Sequence, residues 1–244
     1  MASDQSSVTT PNSLSELPTI LSKAWLSICC VFALTFILTV PYQPFPLHYA
    51  VKAMPIWMLA WLCFSRLNGA PQKIMMFAMI FSSGGDVLLS LPLSYAFPAG
   101  LSSFLIAQLL YAFLFSQRRG GFGVGEFGRS RVWLLLLLVA FYAAALVIII
   151  PKTGELAVPV TVYMTAVCTM GALSALYLGS TWVVLGALCF VVSDSVIAIN
   201  KFWLPFDLSG VVIMNTYYLA QLMIVVGVIQ TQRQSQQLEG ANHV

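Results

Sequence analysis

The sequence predicts an all-α, polytopic membrane protein, and three observations carry that reading: its composition, the spacing of its apolar runs and the scarcity of charge inside them. Of 244 residues, 59% are hydrophobic and 8% charged, with a mean hydropathy of +0.90. A soluble domain of this size has no use for so much apolar surface. A membrane-spanning helix needs roughly 20 mainly apolar residues, and stretches of about that length lie at about 24 to 41, 47 to 64, 73 to 91, 97 to 116, 131 to 150, 157 to 177, 181 to 200 and 209 to 230. The expected organisation is a disordered polar tail over 1–23, a bundle of about eight transmembrane helices over 24–230 and a second disordered tail over 231–244.

Taken in order, the first 20 residues carry no basic residue, and no small-residue cleavage site follows the first apolar run, so they read as a tail rather than a cleaved leader. Turn-rich breaks separate the later stretches: Tyr42-Gln-Pro-Phe-Pro46, Asn68-Gly-Ala-Pro71, the Gly-rich run over 120–128, Pro151-Lys-Thr-Gly154 and Leu178-Gly-Ser180. The Gln-rich end after Gln230 reads as the second tail. An even number of spans puts both termini on one side. That side holds Lys23, Arg66, Lys73, Arg118, Arg119, Arg129, Arg131 and Arg233, against Lys52, Lys152 and Lys201 on the other, so both termini are expected in the cytoplasm. Short loops without an Asn-x-Ser/Thr site fit a bacterial inner membrane or an endoplasmic reticulum.

Several function classes drop out. The net charge of +3 comes from scattered loop residues, which gives no footprint for nucleic acid. Cys29, Cys30, Cys63, Cys168 and Cys189 all lie in apolar segments without C-x-x-C spacing, so they read as buried reduced thiols. With His48 near a loop and His243 in the tail as the only histidines, neither a histidine metal site nor a Ser-His-Asp triad is expected. No metal or organic cofactor is called for.

Six of the eight acidic residues fall near the ends or in connections. The other two do not. Asp86, in Phe77-Ala-Met-Ile-Phe-Ser-Ser-Gly-Gly-Asp86-Val-Leu-Leu, and Asp194, in Leu188-Cys-Phe-Val-Val-Ser-Asp194-Ser-Val-Ile, sit inside apolar stretches. A carboxylate at membrane depth costs several kcal/mol on insertion scales, so it persists where a cavity, a partner or chemistry uses it. The two acids are the foremost candidates for a site.

Aligning them exposes an internal repeat. Gly85-Asp86-Val-Leu-Leu89 pairs with Ser193-Asp194-Ser-Val-Ile197, and Phe104-Leu-Ile-Ala-Gln108-Leu-Leu with Tyr217-Tyr-Leu-Ala-Gln221-Leu-Met. The offsets of 108 and 113 residues match half of an eight-helix chain, as in a four-plus-four duplication with parallel halves. By 1.5 Å per residue both acids lie near the non-cytoplasmic ends of their segments, with Gln108 and Gln221 at mid-span, which suggests a shared polar chamber. Tyr217 and Gln221 share a helix face, as do Gln108 and Tyr111. Asn200 and Lys201 fall two turns outward from Asp194, towards a mouth. Gln108, Tyr111, Ser82, Ser83 and Ser195 can equally be interhelical hydrogen-bond partners, and Lys201 beside Phe202-Trp203 an interfacial anchor. Gly84 and Gly85 allow close approach of a neighbour or ligand.

The combination of Gly85-Asp86-Val-Leu-Leu89, Ser193-Asp194-Ser-Val-Ile-Ala-Ile-Asn200-Lys-Phe202 and Tyr217-Tyr-Leu-Ala-Gln221-Leu-Met-Ile224 resembles the lysoplasmalogenase family of YhhN-like membrane proteins. The resemblance runs from about residue 25 to 230 and includes Tyr163-Met and Met170-Gly of the sixth segment. Gln108 departs from it, since relatives often carry His there, which weakens any proton-relay role at that position. The resemblance implies hydrolysis of the vinyl ether bond of a lysophospholipid, the lysoplasmalogen, to a fatty aldehyde and a glycerophospho-alcohol, with membrane lipids as surroundings. Protonation of the alkene carbon gives an oxocarbenium ion, water adds, and the hemiacetal collapses. One group donates the proton and another stabilises the cation or activates water, as paired carboxyls do in glycoside hydrolysis. Asp86 and Asp194 are the expected pair, with acid and base unassigned. Tyr217 and Gln221 would orient water or the ether oxygen, Asn200 and Lys201 would meet the head-group phosphate, and Gln108, Tyr111, Gly85 and Ser193 would complete the substrate site.

Two other readings compete. A proton-coupled transporter also uses membrane acids and repeats. An intramembrane aspartyl protease does so too, but its Gly-x-Gly-Asp motif is unmet by Ser83-Gly84-Gly85-Asp86, and Ser193 stands where its Tyr-Asp partner needs a tyrosine.

Overall fold

The computed structural model describes residues 48–117, 129–177 and 180–241, together with Val31, Leu34, Thr35, Leu38 and Thr39, which are helical. The N-terminal tail, most of the first apolar stretch, the Gly-rich run and His243 lie outside the described residues. Seven long helices follow one another: α1 (His48–Arg66), α2 (Gly69–Leu89), α3 (Ala96–Ser116), α4 (Arg129–Ile148), α5 (Ala157–Leu176), α6 (Thr181–Phe202) and α7 (Ser209–Ala241). Five segments, Ala96–Ser116, Arg131–Lys152, Gly154–Leu176, Thr181–Phe202 and Ser209–Glu239, are long and apolar enough to cross a membrane.

The helices start and stop where side chains or backbone demand it. Gly69, at φ 68°, takes the left-handed conformation that reverses the chain between α1 and α2. The Ser180 hydroxyl accepts from Trp182 N–H and caps α6. One expectation is corrected at the C-terminus, where residues 231–241 continue α7 instead of forming a disordered tail. Gln and Glu are good helix formers, and this turn is anchored: Ser180 Oγ donates to Gln230 Oε1 at 2.5 Å, Ser180 N–H donates to Thr231 Oγ1 at 3.1 Å, and Gln232 pairs with the Asn68 backbone through both its amide atoms.

Side-by-side packing joins α1 to α2, α2 to α3, α3 to α5, α5 to α6, α6 to α7 and α7 back to α1, which closes a ring of six helices. Helix α4 stands outside the ring against α5. Large apolar side chains such as Trp57, Trp61, Phe77, Phe113, Leu137 and Val158 point outwards, while Ser82, Ser83, Asp86, Gln108, Ser193 and Gln221 are buried within. This inverted arrangement suits lipid outside and a polar centre inside.

Two helix pairs in the ring approach unusually closely, and glycine is the reason. A Cβ on Gly85 of α2 would stand 2.4 Å from the Phe104 ring of α3, and one on Gly186 of α6 would stand 2.8 Å from the Ala220 carbonyl oxygen of α7. Serines stitch the same pairs: Ser103 Oγ donates to the Phe81 carbonyl at 2.6 Å and Ser193 Oγ to the Ile213 carbonyl at 3.1 Å. The two acid-bearing hairpins are thereby held as rigid units.

Candidate active site

Asp86 lies three residues from the end of α2 and Asp194 eight residues from the end of α6, about 4.5 and 12 Å along their axes. Asp194 is therefore deeper than a position near the helix end. The surroundings of the two carboxyls differ more than their depths.

Asp86 is 2% exposed, and its Oδ1 is 3.1 Å from the Lys52 ammonium of α1. Lys52 Nζ also reaches the Asp86 carbonyl at 3.5 Å, and Tyr218 of α7 donates to the Lys52 carbonyl at 2.8 Å. Tyr217 of α7 is buried as well, and among the described residues neither its hydroxyl nor Asp86 Oδ2 has a hydrogen-bond partner. Trp57 Nε1 donates to Ser83 Oγ at 2.6 Å, which ties α1 to α2 one turn away. A charge buried with its counter-ion is the arrangement that a low-dielectric interior requires.

Among the described residues Asp194 has no cationic partner of this kind. Its Oδ2 accepts from the Tyr163 hydroxyl of α5 at 2.7 Å and from Gln108 Nε2 of α3 at 3.3 Å. The residue is half-buried because it faces a pocket of about 170 Å³ bounded by α3, α4, α5, α6 and the end of α2. The walls are apolar, with Leu101, Phe104, Phe141, Val160, Met164 and Phe202 among them, and Asp194 is the one residue of formal charge on the lining.

Behind Asp194 lies a polar spine. Tyr111 donates to Gln221 Oε1 at 2.6 Å, and Gln221 Nε2 donates to Ser82 Oγ at 3.1 Å, so α3, α7 and α2 are joined through one amide. Tyr217 packs edge-on against Phe104 and Phe190, with ring centroids 5.9 and 5.5 Å apart. This aromatic cluster carries Phe104, which touches both Gly85 and the pocket.

The remaining sequence candidates are placed as follows. Asp194 alone among them lines the pocket. Gln108, Tyr111, Tyr217 and Gln221 are buried in the spine, Gly85 is covered by the Phe104 ring, and Ser193 is engaged with the α7 backbone. Asn200 Oδ1 accepts from Phe206 N–H at 3.1 Å and so shapes the turn after α6. Lys201 stands over the Phe97 ring, 4.4 Å from its centroid, at the end of the pocket that Phe97, Phe202 and Trp203 line.

Two residues that the sequence did not single out as site members belong here. Lys52 reads as an interfacial charge near a segment end, but the argument that flagged the aspartates, an ionised group within an apolar stretch, applies to it equally. Tyr163 carries no such signal, since a lone tyrosine in a span resembles any other. Among the described residues no group of three or more histidine, cysteine or acidic side chains could hold a metal; Cys63 is buried, and Cys168 and Cys189 are half-buried, all as free thiols.

The model of the YhhN family matches residues 47–228. The chain is 33% identical over 187 residues to a protein of Mycobacterium tuberculosis named lysoplasmalogenase, a match that covers 74% of this chain and 70% of the relative. It is 31% identical over 220 residues to bovine lysoplasmalogenase TMEM86A, covering 83% and 85%. Human lysoplasmalogenase TMEM86B is 31% identical over 215 residues, covering 85% and 87%. No solved structure matches.

Proposed function

This chain belongs to the YhhN family, and on that premise we propose that it is an integral membrane hydrolase of lysoplasmalogens, cleaving their vinyl ether bond with Asp86 and Asp194 as the acid and base. The observation that carries the reading is Asp194 on the wall of an otherwise apolar pocket. An alkenyl tail suits those walls, and its first two carbons form the alkene to be protonated, the first of them bonded to the ether oxygen that leaves. A carboxyl there can reach the alkene, and Asp86, charge-paired with Lys52, supplies a fixed negative centre for the oxocarbenium ion from behind the Phe104 and Tyr217 rings. Tyr217, whose buried hydroxyl has no partner among the described residues, orients the attacking water. Gln221 and Tyr111 act through the spine, because their polar atoms are engaged with each other and with Ser82. Lys201 stands at the mouth for the phosphate, with Asn200 shaping the adjoining turn.

The chemistry balances without any added group. A proton leaves a carboxyl for the second alkene carbon, whose π pair forms the new C–H bond and leaves the cation on the carbon bonded to oxygen. Water adds to that carbon and gives up a proton to a carboxylate, which restores the acid. The hemiacetal then loses its hydroxyl proton as its C–O bond breaks and the leaving oxygen takes up a proton, releasing aldehyde and the glycerophospho-alcohol.

The eighth span expected over 24–41 lies mostly outside the described residues, and we also read the ring as two like halves. Its order, α1-α2-α3 followed by α5-α6-α7, repeats the same sequence of roles, and the aligned residues Phe104 and Tyr217 meet at its centre. Proton-coupled transport accounts for membrane acids too, but the named relatives do not favour it. The test is aldehyde release from a lysoplasmalogen by the purified protein and by Asp86→Asn and Asp194→Asn. Near-normal turnover in either variant removes that residue from the mechanism, and inert wild-type protein removes the hydrolase reading.

A further inference from the structure

The Asp194 carboxyl is held asymmetrically. Both donors that reach it, Tyr163 and Gln108, bond to Oδ2, at 2.7 and 3.3 Å. A carboxyl oxygen offers two lone-pair sites, so Oδ2 is filled, and a proton placed on it would displace one donor. Oδ1 accepts no hydrogen bond among the described residues, on a side chain that faces the pocket. Asp86 is bound differently, with its Oδ1 on the Lys52 ammonium, an arrangement made for an anion.

From this geometry we infer that Tyr163 and Gln108 are positioning residues that put the reactive proton of Asp194 on Oδ1, so that Asp194 is the acid and delivers that proton to one face of the alkene. The inference rests on the hydrolase reading above. The O–H bond at Oδ1 breaks, the alkene π pair takes the proton, and the electron pair left on the carboxylate is shared with Oδ2, where the two donors already wait. The same two hydrogen bonds thus aim the acid before transfer and hold its anion afterwards, without rearrangement. Their origin on α3 and α5, two different ring helices, fixes the carboxyl plane from two directions.

The consequence is stereochemical. An acid aimed by two donors protonates one face, so hydrolysis in D2O followed by immediate reduction of the aldehyde yields a 2-deuterated alcohol of a single configuration. Wild type, Tyr163→Phe and Gln108→Met, each verified as monodisperse in detergent, are compared for kcat, KM and configuration. The expected result is a single configuration for wild type. For Tyr163→Phe, kcat falls about 10- to 100-fold with KM within about twofold, less than the 10²- to 10⁴-fold of losing the general acid itself, and both configurations appear. For Gln108→Met the same mixing is smaller, in keeping with the longer bond. A structural role alone would lower the amount of active protein and leave the configuration pure. Full stereospecificity in both variants overturns the inference, as does a racemic product from wild type. Absence of aldehyde from wild type overturns the hydrolase reading and the inference with it.

Discussion

Hairpins α2–α3 and α6–α7 have the same construction: an acid on the first helix, a glycine where the second helix crowds in, a serine hydroxyl on the partner's backbone and a glutamine on the second helix. Around that shared frame the environments part. Helix α1 presents Lys52 to Asp86, whereas α5 presents Tyr163 to Asp194. A cation closes one site into a buried ion pair, and a neutral donor leaves the other facing a pocket. One frame can therefore hold a fixed charge and a mobile proton side by side, separated by the choice of a single neighbour.

The strongest way to break this contrast is Asp194→Asn. Loss of a general acid typically costs 10²- to 10⁴-fold, so aldehyde release should fall by roughly 10³-fold while thermal stability in detergent hardly changes. Asp86→Asn should lower turnover by about 10²-fold and should also destabilise the fold by up to about 3 kcal/mol, since the half-buried Lys52 is left without its counter-ion. Adding Lys52→Met to Asp86→Asn should restore the melting temperature without restoring activity. Equal stability losses for both aspartate variants would erase the distinction between the sites. The close approaches sharpen it next: Gly186→Ala, whose Cβ meets backbone, should cost about 1–3 kcal/mol, while Gly85→Ala, which meets a ring able to turn, should cost less in melting experiments. Smallest is Trp57→Phe, which removes one hydrogen bond to Ser83 and should cost about 1 kcal/mol, with aldehyde release kept within about threefold.

Much of this contrast was legible in the sequence, and the missing part has physical causes. The apolar runs predicted α1 to α6 to within a few residues, because in lipid a helix is the only way to pair its own backbone. Asp86 and Asp194 stood out through their cost. The helical turns after Gln230 did not, since their polarity resembles a tail until Ser180 and Asn68 are seen to meet them. Lys52 was hidden by position: near a segment end, a lysine partnered with a carboxylate and one snorkelling to the surface look alike. The expectation of one chamber shared by both acids rested on depth alone. Depth along two helices says nothing about rotation, and the aromatic cluster of Phe104, Phe190 and Tyr217 occupies that ground.

Helix α4 packs outside the ring against α5, yet Phe141, Ala144, Ala145, Ile148 and Ile149 form one wall of the pocket. On the proposed mechanism the chemistry is anchored in the ring, while the pocket's dimensions depend on a helix that carries none of it. Enlarging Ala144 or Ala145 shortens the room for a tail without disturbing Asp194 or its donors. Chain-length preference can thus diverge among descendants of this sequence by drift on one peripheral surface, independently of the catalytic machinery.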